Sequence, residues 1–285
     1  MIKMAHTVTV AAAAASVLAL AACGGASESA GAGGTSCTPK WGTFDTITSG
    51  QLTVGVPDAP PYYISKDGQT SGIDADFLNQ FAKDSCLTIK WDVMPSASVI
   101  QSVVARRDDI AAGGWYSTAE RGKVVNLSAY TYAELPTIIS KTGADDVTSL
   151  VDHSVGTITG YAWVDDLKKK VGAGNVKEYQ SADAALQDVA AGRIEFALLG
   201  GIDAPYLIKT KTDYSGIKSA LMKPDESIAV SVNPSLPNYP ATKGNDKLTA
   251  ALNKGIDGGH TSGQTGKTFE KYGLDPALAD VSKYK

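Results

Sequence analysis

The sequence predicts an α/β chain folded as two lobes with a cleft between them. Three observations carry this. Short apolar runs suited to strands alternate with helical patterns, and the alternation occurs twice along the chain. Apolar residues make up 43% of the 285 residues and charged residues 20%, enough to bury a core. Two segments, Tyr130–Ser140 and Ser227–Val232, are placed to carry the chain from one lobe to the other and back.

The first element is a targeting segment. Lys3 precedes Thr7–Leu20, a run without charge that is short for a membrane span and suited to a signal peptide. It ends in Leu20-Ala21-Ala22-Cys23, which resembles a bacterial lipobox. That resemblance implies removal of residues 1–22 and a diacylglycerol on Cys23, anchoring the chain without a spanning helix. Ala26–Ser36 is rich in Gly, Ala and Ser with one charge, Glu28, and reads as a flexible tether. Residues 23–48 are assigned to the lipidated cysteine and tether.

Lobe 1 is expected to comprise residues 49–136 and 232–285, and lobe 2 residues 137–231. Leu52–Val56, Thr88–Val93, Ile110–Gly113, Val155–Ile158, Val176–Tyr179 and Phe196–Leu199 read as strands. Asp74, Ser98 and Ser181 can cap helices carrying Leu78 and Phe81, Val99 and Val103, and Leu186 and Val189. Trp163, Val164, Leu167 and Val171 share one helical face closed by Gly172. Alternation of this kind implies parallel sheets covered on both faces. Ser227–Val232 is strand-like. Leu248, Leu252, Ile256, Phe269 and Tyr272 belong to helices that return to lobe 1.

Composition excludes several functions. A net charge of −4 argues against a nucleic-acid partner. Three Cys and three His, none at ligand spacing, argue against a metal site. No Gly-x-Ser-x-Gly elbow is present. Gly266-Lys267-Thr268 has Thr261 where a phosphate loop has its first Gly, and reads as a helix start. Lys168–Lys170 reads as a solvated helix end. No cofactor is expected. With Cys23 lipidated, Cys37 and Cys86 form one possible disulfide, the alternative being two buried thiols.

Two stretches carry the functional signal. Leu52-Thr-Val-Gly-Val-Pro-Asp-Ala-Pro-Pro-Tyr-Tyr63 is followed by Gly72-Ile-Asp-Ala-Asp-Phe-Leu78, and later by Asp109-Ile-Ala-Ala-Gly-Gly-Trp-Tyr-Ser-Thr-Ala-Glu-Arg121. Through Leu52, Val54, Gly55, Pro61, Tyr62, Gly72, Asp74, Asp76, Gly114, Thr118, Glu120 and Arg121 these resemble the family-3 solute-binding proteins of bacterial ABC importers, the polar amino acid group. The resemblance spans about residues 50–275. It implies a type II periplasmic-binding-protein fold whose lobes close on a ligand, a permease as partner, and a monomer that is not an enzyme. It also implies that Arg121 pairs with the ligand α-carboxylate, with Thr118 and the Gly114 backbone flanking it. The chemistry agrees, because a planar guanidinium matches a carboxylate fork. The other reading of Arg121 is a surface pair with Glu120 or an Asp.

The sequence departs from the family pattern where aromatic residues crowd cleft positions: Tyr62, Tyr63, Trp115, Tyr116 and Tyr161, next to Ala162 in the Gly160-Tyr-Ala turn. They suit a flat or cationic group. Trp163 fits core and cleft equally. Asp203, in an Asp-x-Pro context, matches the family's ammonium ligand only with about three extra residues. Gly200 takes the place without a gap, and a helix cap is the other role for Asp203. The leading function is a lipid-anchored binding component of an ABC importer, extracytoplasmic, taking an amino-acid-like solute. The competing function is an exported cyclohexadienyl-dehydratase-like enzyme on the same fold, with Glu195 as its acid.

Overall fold

The computed structural model describes residues 37–284; the expected signal peptide, lipidated Cys23 and tether through Ser36 lie outside the described residues. Lobe 1 begins with β1 (Gln51–Val56), the β2–β3 hairpin (Ile64–Lys66, Gln69–Ser71), α1 (Ile73–Asp84), β4 (Thr88–Val93), α2 (Ser96–Val104) and β5 (Ile110–Ala111). Then come β6 (Trp115–Tyr116), α3 (Ala119–Val124) and β7 (Asn126–Leu127). Lobe 2 runs β8 (Pro136–Ser140), β9 (Val155–Ile158), α4 (Val164–Val171), β10 (Val176–Tyr179), α5 (Ala182–Ala190), β11 (Phe196–Gly200), α6 (Asp203–Thr210) and β12 (Lys218–Leu221). After α7 (Ala229–Val232) the chain adds β13 (Pro237–Asn238), β14 (Pro240–Ala241), α8 (Asp246–Thr261) and α9 (Gln264–Tyr272).

Each lobe holds one five-stranded sheet, ordered β4-β1-β5-β14-β7 in the first and β10-β9-β11-β8-β12 in the second. The expectation of parallel sheets holds for β4, β1 and β5 and for β10, β9 and β11. A parallel pair needs a crossover, and α1, α2, α4 and α5 supply it. By contrast, β8 and β14 enter from connecting segments without such a helix, and pair antiparallel with β11 and β5. The sheets are therefore mixed. The two connecting segments meet where the Glu134 N–H donates to the Ser235 carbonyl at 2.9 Å.

Four local readings are corrected; one is Ser98, which lies inside α2, a helix that starts at Ser96 after Pro95, and does not cap it. Residues 37–48, read as tether, pack on lobe 1. Trp41 and Phe44 join its core, the Lys40 N–H donates to the Asp84 carbonyl at 2.8 Å, and Cys37 is bridged to Cys86. Their aromatic side chains have apolar surface to bury, which the Gly/Ala/Ser stretch before them lacks. Ser227–Val232 is not a strand, because Asp225 accepts from the Ser227 N–H and hydroxyl and winds the chain into the one-turn α7. Asp74 does not cap α1; the helix starts at Ile73 after Gly72, and the Asp74 carboxylate is turned inward. Ser181 does cap α5, accepting from the Ala184 N–H at 3.2 Å.

The lobe 1 core packs α1 and α8 against β1. Leu52, Val54, Leu78, Leu248 and Leu252 are fully buried in it. Phe81 is among the largest fully buried side chains and stacks with Phe44 and Phe77 at 5.9 and 6.1 Å. Gly255 of α8 lets this stack approach, since a Cβ there would lie 3.0 Å from the Phe81 ring. Gly255→Ala should therefore cost stability, about 1 kcal/mol after the helix-propensity gain is subtracted from the packing strain. Gly266→Ala in α9 should instead add about 0.5–1 kcal/mol, because its Cβ would meet only Pro276 at 3.6 Å. Urea midpoints at constant slope check both signs.

Candidate functional site

The site is built where the end of β1, β6, the segment before β8 and the start of α6 converge. After β1 the chain turns, the Tyr63 N–H donating to the Ala59 carbonyl at 3.1 Å, and the two neighbouring tyrosines point to different sides. The Tyr62 hydroxyl donates to Glu134 Oε1 at 2.5 Å. Tyr63 points the other way, into the lobe 1 core, 3% exposed and 5.0 Å from the Trp91 ring. It is not a ligand residue. Gly114 adopts φ +72°, and a Cβ there would lie 3.0 Å from the Tyr62 ring and 3.4 Å from Glu134 Oε1. Only glycine leaves that approach open. From β6, the Tyr116 hydroxyl donates to Glu134 Oε2.

Glu134 is the residue that sequence reasoning missed. Its signal was a single carboxylate inside the otherwise uncharged run Tyr130–Ser140. Burial raises its pKa to about 7; the two phenol donors pull down, and the charges of Asp203 and Asp74 push up.

Asp203 opens α6 without capping it. Burial raises its carboxyl to about 6. Its charge acts on Glu134, Tyr62, Tyr116 and Tyr161, so these five groups surround one space. Tyr161 arrives from the turn after β9, its hydroxyl 3.7 Å from where a Gly200 Cβ would stand. Ala162 is exposed beside it. Trp163 belongs to the lobe 2 core; it is 9% exposed and its indole N–H donates to Thr157 Oγ1 at 3.1 Å. The Tyr161 and Trp163 rings lie 4.5 Å apart.

Arg121 sits on α3. Thr118 caps that helix, its hydroxyl accepting from the Arg121 N–H at 3.1 Å. The guanidinium lies 5.2 Å over the Trp115 ring and donates to the Tyr116 carbonyl. Trp115 itself donates to the Ala112 carbonyl at 2.7 Å and packs on Val99, Val103, Ala111 and Val125. It thus supports Arg121 rather than standing free as a wall. Among the described residues Arg121, Glu134 and Asp203 form no ion pair, although twelve pairs occur elsewhere. Arg121 on α3 and the two carboxylates Glu134 and Asp203 thus carry opposite charges without ion-pair partners among the described residues.

Asp74, read from the sequence as a motif residue, holds the loop of Gly114 in place. Its carboxylate accepts from the Gly113 N–H at 2.7 Å and from the Tyr239 and Tyr132 hydroxyls at 3.1 and 3.3 Å. Burial nevertheless raises it to about 6. Glu195 is exposed and pairs with His153 at 2.7 Å, outside this cluster. A cavity of about 530 Å³ lies elsewhere in lobe 1, between α1, α8 and α9, and none of Tyr62, Glu134 and Asp203 lines it.

Comparison with known proteins places this geometry. The chain is 28% identical over 181 residues to an arginine-binding periplasmic protein of Mannheimia haemolytica, covering 63% of this chain and 74% of that protein. It is 25% identical over 218 residues to an L-cystine-binding protein of Escherichia coli, covering 73% and 76%. In structure it resembles a polar amino acid ABC uptake transporter substrate-binding protein of Streptococcus thermophilus, with a TM-score of 0.68 at 20% identity over 84% of this chain and 92% of that one. An ancestral cationic amino acid solute-binding protein superposes with a TM-score of 0.66 at 22% identity, covering 80% and 97%. These last two likenesses show the fold. The model of the bacterial extracellular solute-binding proteins, family 3, matches residues 52–275, and the chain belongs to that family.

Proposed function

We propose that this protein captures an amino-acid-like solute between its lobes and delivers it to the permease of an ABC importer, held at the outer face of a cell membrane by lipid on Cys23. The observation that carries the capture is the set of unpaired charges in the cleft. Arg121 lacks a carboxylate and Asp203 lacks a cation among the described residues, and a zwitterion supplies both. Relatives that bind arginine and L-cystine support the amino acid class. The Leu20-Ala-Ala-Cys23 box supports the anchor. In this reading Asp203 takes the ammonium, Arg121 the carboxylate, and Tyr62, Tyr116 and Tyr161 the walls.

A thermal-shift screen of L-arginine, L-cystine, L-glutamine, glycine betaine, prephenate and arogenate tests it. A solute at about 100 times its Kd adds about 2.7 kcal/mol to the folded state. That raises Tm by about 5–10 °C for a chain of this size. Turnover of prephenate or arogenate, with no amino acid raising Tm, would overturn the reading in favour of an enzyme. Mass spectrometry of the membrane fraction tests the anchor; a mature chain whose first residue is not an acylated Cys23 refutes it.

A further inference from the structure

We infer that Glu134 is a specificity-determining residue, whose carboxylate receives a second cationic group carried on the side chain of the solute. The inference rests on the solute-binding reading above and deepens it.

Glu134 lies on the segment connecting the lobes, tied to the other connecting segment through Ser235. The Tyr62 and Tyr116 hydroxyls fix one carboxylate oxygen each. Each oxygen keeps a second lone-pair direction for a ligand donor. Asp203 shares the same space, and among the described residues no Lys, Arg or His forms an ion pair with either carboxylate. One ammonium can neutralise Asp203 and leaves Glu134 facing phenols alone. Two carboxylates with aromatic walls suit a solute with two separate positive centres and are a poor place for a neutral or acidic side chain.

The surroundings make this charge dependent on pH. The titratable groups that face Glu134 are Tyr62 from the loop after β1, Tyr116 from β6, Tyr132 from its own segment, Tyr161 from the turn after β9, Asp203 from α6 and Asp74 from α1. The phenols stay neutral through physiological pH because burial raises all four. With Glu134 at about 7 and Asp203 at about 6, protons neutralise the empty cleft at mildly acidic pH. A bound cation favours the ionised carboxylates, so capture near neutrality expels protons, and affinity for a cationic solute rises with pH until both groups are ionised.

The probes are L-arginine and L-citrulline, which differ in having a charged guanidinium or a neutral urea at the same reach. Calorimetry on the mature chain should show L-arginine bound about tenfold or more tightly than L-citrulline at about pH 8.5. The preference should shrink at about pH 5.5. Heats measured near pH 7 in phosphate and in Tris should differ through the released proton. Glu134→Gln should reduce the ratio of L-arginine to L-citrulline affinity to within about threefold and shrink the buffer dependence to the part that Asp203 supplies. Tyr116→Phe keeps the carboxylate but removes one donor to its ionised form. It should preserve the preference at high pH and move its midpoint upward, which keeps the test open should Glu134→Gln fold poorly. An arginine preference that survives Glu134→Gln, or L-glutamine or L-citrulline matching L-arginine in the wild type, overturns the inference while the solute-binding reading stands. No heat with any of the three, and no amino acid stabilising the protein, removes both.

Discussion

Asp203→Asn should weaken solute capture by a hundredfold or more while raising the melting temperature of the empty protein at pH 7.5. The two effects have one cause with opposite consequences. In the loaded cleft the ammonium would lose its only full counter-charge at that position, and breaking a buried pair costs on the order of 3–5 kcal/mol. In the empty cleft the same carboxylate is a burden, since burial holds it at about 6, above its ordinary range. A carboxyl whose pKa is raised on folding destabilises the fold above that pKa, by about 3 kcal/mol here. The penalty fades as pH falls through about 6 and is gone below the unfolded value. Asn keeps the shape and never ionises, so the gain of the empty variant should be fullest at neutral and higher pH and about half as large at pH 5. Arg121→Ala should lose affinity on a similar scale, and Arg121→Lys should restore part of it, because it keeps the charge without the fork. Calorimetry with the strongest solute of the screen, beside melting curves at pH 5 and 7.5, reads both signs. Wild-type affinity in both Asp203→Asn and Arg121→Ala would remove the zwitterion clamp.

The second large effect concerns the bridge between Cys37 and Cys86. It closes a loop with a sequence separation of 49 and spans Cα atoms 5.7 Å apart, within the usual range for a disulfide. Chain entropy assigns such a loop about 4 kcal/mol, an upper figure in practice. Replacing both cysteines with Ser should lower the urea midpoint accordingly, as should reduction of the wild type. The Lys40–Asp84 contacts and the packing of Trp41 and Phe44 remain, so the segment should fray rather than detach. Solute affinity of the molecules still folded should be unchanged. Equal midpoints for the oxidised wild type and the double variant would show that packing alone holds residues 37–48.

What was legible in the sequence followed from local physics. Thr88–Val93, Val155–Ile158 and Val176–Tyr179 were readable to the residue because their composition suits a sheet and turn residues bound them. Ser227–Val232 misled because Ile228, Val230 and Val232 alternate with Ser227, Ala229 and Ser231, the period of a strand, whereas the Asp225 turn decided the outcome. At the site, Tyr62 and Gly114 could be named from motifs, Tyr116 as an aromatic departure from them, and Asp203 only by allowing about three extra residues. Tyr63 could not be separated from Tyr62 by composition; only the direction of each side chain did so. Trp115 looked like a wall and proved to be a support for Arg121. Glu134 escaped because its partners lie 72 and 18 residues away, which no local pattern records.

The first lobe is assembled from two distant stretches of chain, whereas the second is continuous from β8 to β12. A chain emerging from a translocation channel N-terminus first therefore offers a complete second sheet before it can complete the first. Until Ala241 emerges, β5 and β7 lack the strand that lies between them. Until α8 follows, α1 leaves Leu78 and Phe81 without Leu248, Leu252 and Ile256 to cover them. That interval leaves open strand edges and an apolar helix face, the features that invite aggregation. The last part of the chain to arrive decides when the molecule becomes safe from its neighbours, so the vulnerability of a nascent molecule is set by the time taken to deliver its C-terminal helices.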